Sequence, residues 1–112
     1  MNEFLPDPII EDIPLAQNAF DQSAKSLDPI DVSKYYPKII EAIKYSIDHG
    51  YFVARIGPYS ILDGEKIALE LESKYGYRAY TYAIGLNELK ETLIGVDVNW
   101  KFISQGTRER LN

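Results

Sequence analysis

Apolar side chains first settle into a sustained helical rhythm at Tyr36, Ile39, Ile40, Ile43, Ser46 and Ile47, while Lys38, Glu41, Lys44 and Asp48 fall elsewhere. Spacings of three and four place that stripe on one face, so the pattern predicts a helix from Ser33 to Gly50 with its stripe against a core. Pro37 is tolerated near the first turn, and Gly50 stands where a left-handed C-terminal cap belongs. The period then drops to two. Phe52, Ala54 and Ile56 alternate with Tyr51, Val53 and Arg55, as in a strand covered mainly on one face. Gly57-Pro58-Tyr59-Ser60 has turn chemistry and is expected to close that strand.

A second helix is predicted from an N-cap at Asp63 through Tyr75, stopped by Gly76 as Gly50 stops the first. Ile67, Ala68, Leu71 and Tyr75 form its buried stripe; Glu65, Glu70, Glu72 and Lys74 are left for solvent. Tyr77 to Ile84 and Thr92 to Trp100 return to strand patterns, with Ile94, Val96, Val98 and Trp100 on one face. Gly85 to Glu91 joins them, and is long enough for a loop to project.

Upstream, Pro6, Pro8 and Pro14 stand among acids and isolated aliphatics, a composition that suits an extended arm. From Pro14, Leu15, Ala16, Ala19, Phe20, Ser23, Ala24 and Leu27 follow at helical spacing, which predicts a short amphipathic helix ending near Asp28-Pro29. So short a helix is marginal alone, and its apolar stripe must dock on this chain's body or on a partner. The organisation expected is an acidic arm with a short helix (1–32), a helix-strand-helix-strand-strand domain (33–100) and a C-terminal tail (101–112). The fold class is α+β: a small three-stranded mixed sheet with two helices on one face. The first two strands are expected to pair in parallel through a crossover, and the last two antiparallel. The other face would show Tyr51, Val53 and Arg55, with either Tyr77, Ala79, Thr81 and Ala83 or Arg78, Tyr80 and Tyr82. That face and two free edges need a cover, either the arm or another subunit.

Composition narrows the function. With 112 residues, 46% hydrophobic and 26% charged, the chain has the size and makeup of one globular domain. It has no cysteine, which removes disulfides and thiolate metal sites. Met1 to Asp7 lacks the basic and apolar regions of a secretory leader, and no run nears the roughly 18 apolar residues of a membrane span, so no membrane role is expected. Residues 1–31 hold seven acids and one base, a net of −6, and the other ten acids and eleven bases net +1. A nearly neutral body argues against nucleic acid as a partner, because phosphate binding needs concentrated basic charge. Nine tyrosines favour contact surfaces, since their rings are apolar with a polar tip.

The search for chemistry returns structural readings. His49, the sole histidine, falls in the last helical turn, where it suits the helix dipole or caps a carbonyl. Asp97 reads as an exposed strand residue or as an ion-pair partner of Arg55 or Arg78 rather than half of a catalytic carboxylate pair. Gly57-Pro58-Tyr59-Ser60 reads as a connection, not an anion site, and Tyr77, Tyr80 and Tyr82 as packing, not base stacking. Metal-ligand spacings, a phosphate-cradling glycine pattern and a nucleophile elbow are missing, so neither an enzyme nor a cofactor is expected.

The succession of a helix ending at Gly50, a strand, a helix giving way to Gly76-Tyr77, and a last strand Val96-Asp97-Val98-Asn99-Trp100 resembles small α/β domains of virion-associated and uncharacterised tailed-bacteriophage proteins. The resemblance covers about residues 37–100. It implies a structural or interaction role with no catalytic residues to carry over, a place in the virion after synthesis in the host cytoplasm, and Trp100 closing the core. The expectation is a non-enzymatic interaction protein, a minor virion component that docks on other protein subunits and belongs to an oligomer or larger assembly. Its contact residues would be Phe4, Leu5, Ile9, Ile10, Leu15, Phe20 and Leu27 of the arm with Tyr80 and Tyr82 of the sheet. The alternative is a soluble acidic inhibitor or regulator that presents its carboxylates to a host protein.

Overall fold

The computed structural model describes residues 13–103. Helix α1 (Ala16–Leu27) is followed by a 3-10 turn at Ser33–Tyr35, helix α2 (Tyr36–Asp48), strand β1 (Val53–Ser60), helix α3 (Ile61–Tyr75), and strands β2 (Arg78–Leu86) and β3 (Thr92–Asn99). The three strands lie in the order β1-β3-β2, and α2 and α3 cover one face, an α+β fold. The sheet is not mixed: β3 pairs antiparallel with both neighbours. β1 and β2 do run the same way, but β3 sits between them, so α3 bridges a split β-α-β unit. The placement has a physical reason. β3 carries Leu93, Ile94, Val96 and Val98 and is the most buried strand, whereas β1 contains Pro58, which lacks an N–H and belongs at an edge.

β1 does not close at Ile56. Between the pairs Ile56–Val96 and Tyr59–Ile94, Gly57 and Pro58 together oppose Gly95, which makes a bulge. Gly57 has φ +121, and a Cβ there would stand 3.1 Å from the Cα of Gly95 and the carbonyl oxygen of Ile94. The extra residue shifts the alternation, so Tyr59 turns to the core and is 8% exposed. A strand that continues to Ser60 moves the N-cap: the Asp63 N–H donates to Ser60 Oγ at 3.2 Å, and Ser60, not Asp63, caps α3. Asp63 lies in the first turn, where its charge favours the helix dipole.

α2 ends as its glycine predicts. Gly50 has φ +76, Tyr51 N–H donates to Ser46 C=O at 2.8 Å and Gly50 N–H to Ile47 C=O at 3.1 Å, the paired bonds of a Schellman cap. Its stripe is narrower than the spacing suggests. Ile39, Ile43 and Ser46 are buried, but Ile40 and Ile47 stay exposed, as does Tyr75 of α3. Val32, just before the 3-10 turn, is among the most deeply buried side chains and packs with Ile39, Ile43, Ile67, Val96 and Val98. The core therefore recruits the linker, and Ile30 and Trp100 pack against its border. The β2–β3 connection folds back on itself, with Asn87 Oδ1 accepting the Leu89 and Glu91 N–H groups, both at 2.9 Å.

Candidate functional site

On the sheet face away from the helices, register places Arg78, Tyr80 and Tyr82 beside Asn99, Asp97 and Gly95, with Val53 and Arg55 on the far strand. This resolves the two alternatives for β2 in favour of Arg78, Tyr80 and Tyr82. Tyr80 and Tyr82 are 56% and 41% exposed. The end of the Tyr82 ring lies over Gly95, where a Cβ would meet it at 2.6 Å, with Ile84 alongside. Arg55 reaches across to Asp97 at 3.2 Å, so Asp97 is an ion-pair partner as its strand position suggests. Arg78 lies 4.4 Å over the ring of Phe102. The face is a mosaic of rings and one central charge pair.

α1 seats on this chain's own body, but shallowly. Phe20, Ser23, Ala24 and Leu27 line a narrow gap against Ala68, Leu69, Glu65 and Glu72 of α3 and Ala79 and Thr81 of β2. No residue of α1 is buried; Leu15 is 73% and Phe20 57% exposed, and Leu27 is half-buried. Phe4, Leu5, Ile9 and Ile10 lie outside the described residues. Beside α1, the outer edge of β2 is partly occupied: Glu72 accepts the Ala79 N–H at 3.1 Å and Glu65 the Thr81 hydroxyl at 3.3 Å.

The outer edge of β1 borders a cleft of about 680 Å³ between that strand and α2. Ala42, Ser46, Ile56 and Tyr59 are among its lining, with the rings of Tyr35 and Tyr45 and the charges of Lys38, Glu41 and Arg55. The pattern of the sequence does not reveal it, because it depends on α2 and β1 diverging at an edge. The one local signal is Gly57-Pro58, the bulge.

Two polar clusters tie the helices together. Tyr35 donates to Asp63 at 2.7 Å, a bond that raises the tyrosine's pKa. Tyr36 donates to Glu70, which also meets Lys74 at 3.3 Å and Lys66 at 3.5 Å, so Glu70 is not a solvent residue. Burial pushes the Glu70 carboxyl up, but the hydrogen bonds from Tyr36 and Lys74 and the two lysine charges outweigh it and hold it below its ordinary value. Burial likewise pushes the Tyr59 hydroxyl up to about 12. His49 Nδ1 lies 2.8 Å from the Tyr45 carbonyl, and its ring stacks on Tyr45 at 4.0 Å, a helix-end role. These groups hold helices in place; among the described residues no three His, Asp or Glu side chains converge as a metal would require. Among the same residues no helix is long and apolar enough to cross a membrane. In comparison with known proteins, the chain matches no family model, no curated protein and no solved structure.

Proposed function

We propose that this chain is a non-enzymatic interaction protein that docks on neighbouring subunits through its N-terminal arm, as a minor component of a bacteriophage particle. The observation that carries the reading is α1: an amphipathic helix seated on α3 with none of its residues buried. A stripe containing Leu15 and Phe20 that stays largely in water gains from a second surface. The exposed Tyr80 and Tyr82 supply further contact area, because tyrosine adds apolar surface with few rotatable bonds. The phage assignment rests on the resemblance of residues 37–100.

Deletion of residues 1–28 tests the reading. The cut spares Ile30 and Val32, which belong to the core. The truncated chain is expected to keep its circular-dichroism spectrum and to lose self-association or incorporation into particles. Equal association or incorporation by the full and truncated chains overturns the proposal. Binding of the full chain to a host protein that moderate salt abolishes points instead to the acidic-inhibitor reading, since exposed charge pairs are screened.

A further inference from the structure

Leu89 is 78% exposed, more than any other large apolar side chain of the described residues, and it stands on a braced loop. Asn87 Oδ1 accepts the Leu89 N–H, Asn87 N–H donates to the Glu91 carbonyl at 2.9 Å, and Asn87 Nδ2 donates to Glu91 Oε1 at 3.0 Å. Lys90 takes φ +63, the one positive φ outside glycine among the described residues, a conformation kept only where its surroundings fix it. The loop therefore holds Leu89 out as a knob. Ser60 and Gly85 both stand beside Leu93, so the exposed Ile61, Leu62 and Leu86 adjoin the same end of the sheet.

A hole of matching size lies toward the other end. Between α2 and α3 runs a groove of about 150 Å³ whose lining includes Tyr36, Ile40, Ile43, Leu71, Tyr75 and Tyr77. That volume takes one branched or benzene-sized group. The charges answer as well. Beside the groove, Lys44 follows Ile43 on α2 and is exposed, and Tyr36 leads to Glu70, which Lys66 and Lys74 share, three lysines against one carboxylate. Glu41 faces the cleft at β1 instead, and Asp48 lies more than a turn past Ile43. The loop has the other sign, with Glu88 and Glu91 against Lys90.

Geometry forbids the contact within one chain. Tyr77 lies just before β2 and Leu89 beyond its other end, and a strand of that length spans about 30 Å. α1 is no competitor for the groove, since Phe20 and Leu27 face α3 from its β2 side. We infer that the β2–β3 loop of one copy seats Leu89 between α2 and α3 of the next. The contact joins two different surfaces, so repetition gives a ring or a filament rather than a closed pair. It does not involve the arm.

A contact of this size is weak singly, so covalent trapping in the cysteine-free chain reads it best. Full-length Lys90→Cys, which keeps Leu89, is mixed with full-length Ile40→Cys, a half-exposed position on the groove. Under mild oxidation the mass of the heterodimer is expected in several-fold excess over either homodimer. Adding Leu89→Ser to the Lys90→Cys chain is expected to cut that yield about tenfold, the effect of withdrawing one leucine from the groove. Glu88→Lys in its place is expected to lower it about two- to fivefold, as for one partly exposed ion pair. Leu89 and Glu88 are exposed, so neither change touches the core. No excess of heterodimer overturns the inference, and so does a yield that Leu89→Ser leaves unchanged. A Lys90→Cys homodimer as the main product also overturns it, because the loops would then meet each other. Deletion of residues 1–28 reads arm docking separately, so failure of this contact and failure of the arm are told apart.

Discussion

At the scale of single residues, backbone conformation and burial separate positions that look alike in the sequence. Gly50 has φ +76 and open space where a Cβ would stand, so Gly50→Ala carries only the conformational cost of a left-handed residue. Urea denaturation is expected to show a loss of about 1–2 kcal/mol. Val32 sits at 1% exposure in the core. Val32→Ala should cost about 2 kcal/mol, from lost methyl burial and the cavity left behind. Tyr59 is buried, and its pKa is pushed up to about 12 from an ordinary 10. The folded state therefore favours the neutral phenol, and the stability it contributes is complete below pH 10 and lost as pH rises toward 12. Tyr59→Phe is expected to flatten the fall in melting temperature across that window. Glu70 has the opposite sign. Its folded value lies below the ordinary 4.5, so its contribution is present above that value and lost as pH falls through the folded one. Glu70→Gln should lower stability at neutral pH and weaken the acid dependence.

At the scale of elements, the prolines and glycines decide more than their local turns. Gly57-Pro58 reads in one dimension as the end of a strand, yet here the strand absorbs the pair as a bulge and continues. A turn and a bulge use the same residues, since both need a residue free to take positive φ and a break in the ladder. The choice depends on β3 lying alongside, which the local sequence does not contain. The same applies to Ser60 and Asp63: each is a competent cap, and the length of β1 selects Ser60. The helix ends were legible because Gly50 and Gly76 act within one turn. The widths of the buried stripes were not, and Ile40, Ile47 and Tyr75 remain outside for want of a third layer over α2 and α3.

At the scale of the whole molecule, one covered face, one open face and an unfilled edge leave apolar rings and backbone groups of the described residues uncovered. The open face mixes Tyr80, Tyr82 and Ile84 with the Arg55–Asp97 pair, and the edge of β1 opens into the cleft beneath α2. Deletion of residues 1–28 is expected to shift the melting temperature only slightly, since none of the α1 side chains is buried, and to change association instead. Differential scanning calorimetry alongside light scattering separates the two effects. Strand alternation left Tyr80 and Tyr82 as one of two sets for the open face, and the register of β2 on β3 chose between them. The cleft was not legible, because its two walls, with Ala42 and Ser46 on α2 and Ile56 and Tyr59 on β1, come together only through tertiary packing.

By itself the sequence determined the order of helices and strands, the caps at Gly50 and Gly76, the α+β class and the acidity of the arm. Each of these follows from periodicity, backbone freedom or charge, and such properties act over a few residues. Only the tertiary structure decided that β3 enters between β1 and β2, that Val32 joins the core and that Glu70 is ringed by Tyr36, Lys66 and Lys74. Those outcomes depend on which surfaces meet across the chain, where pairing and desolvation between distant segments outweigh local preference.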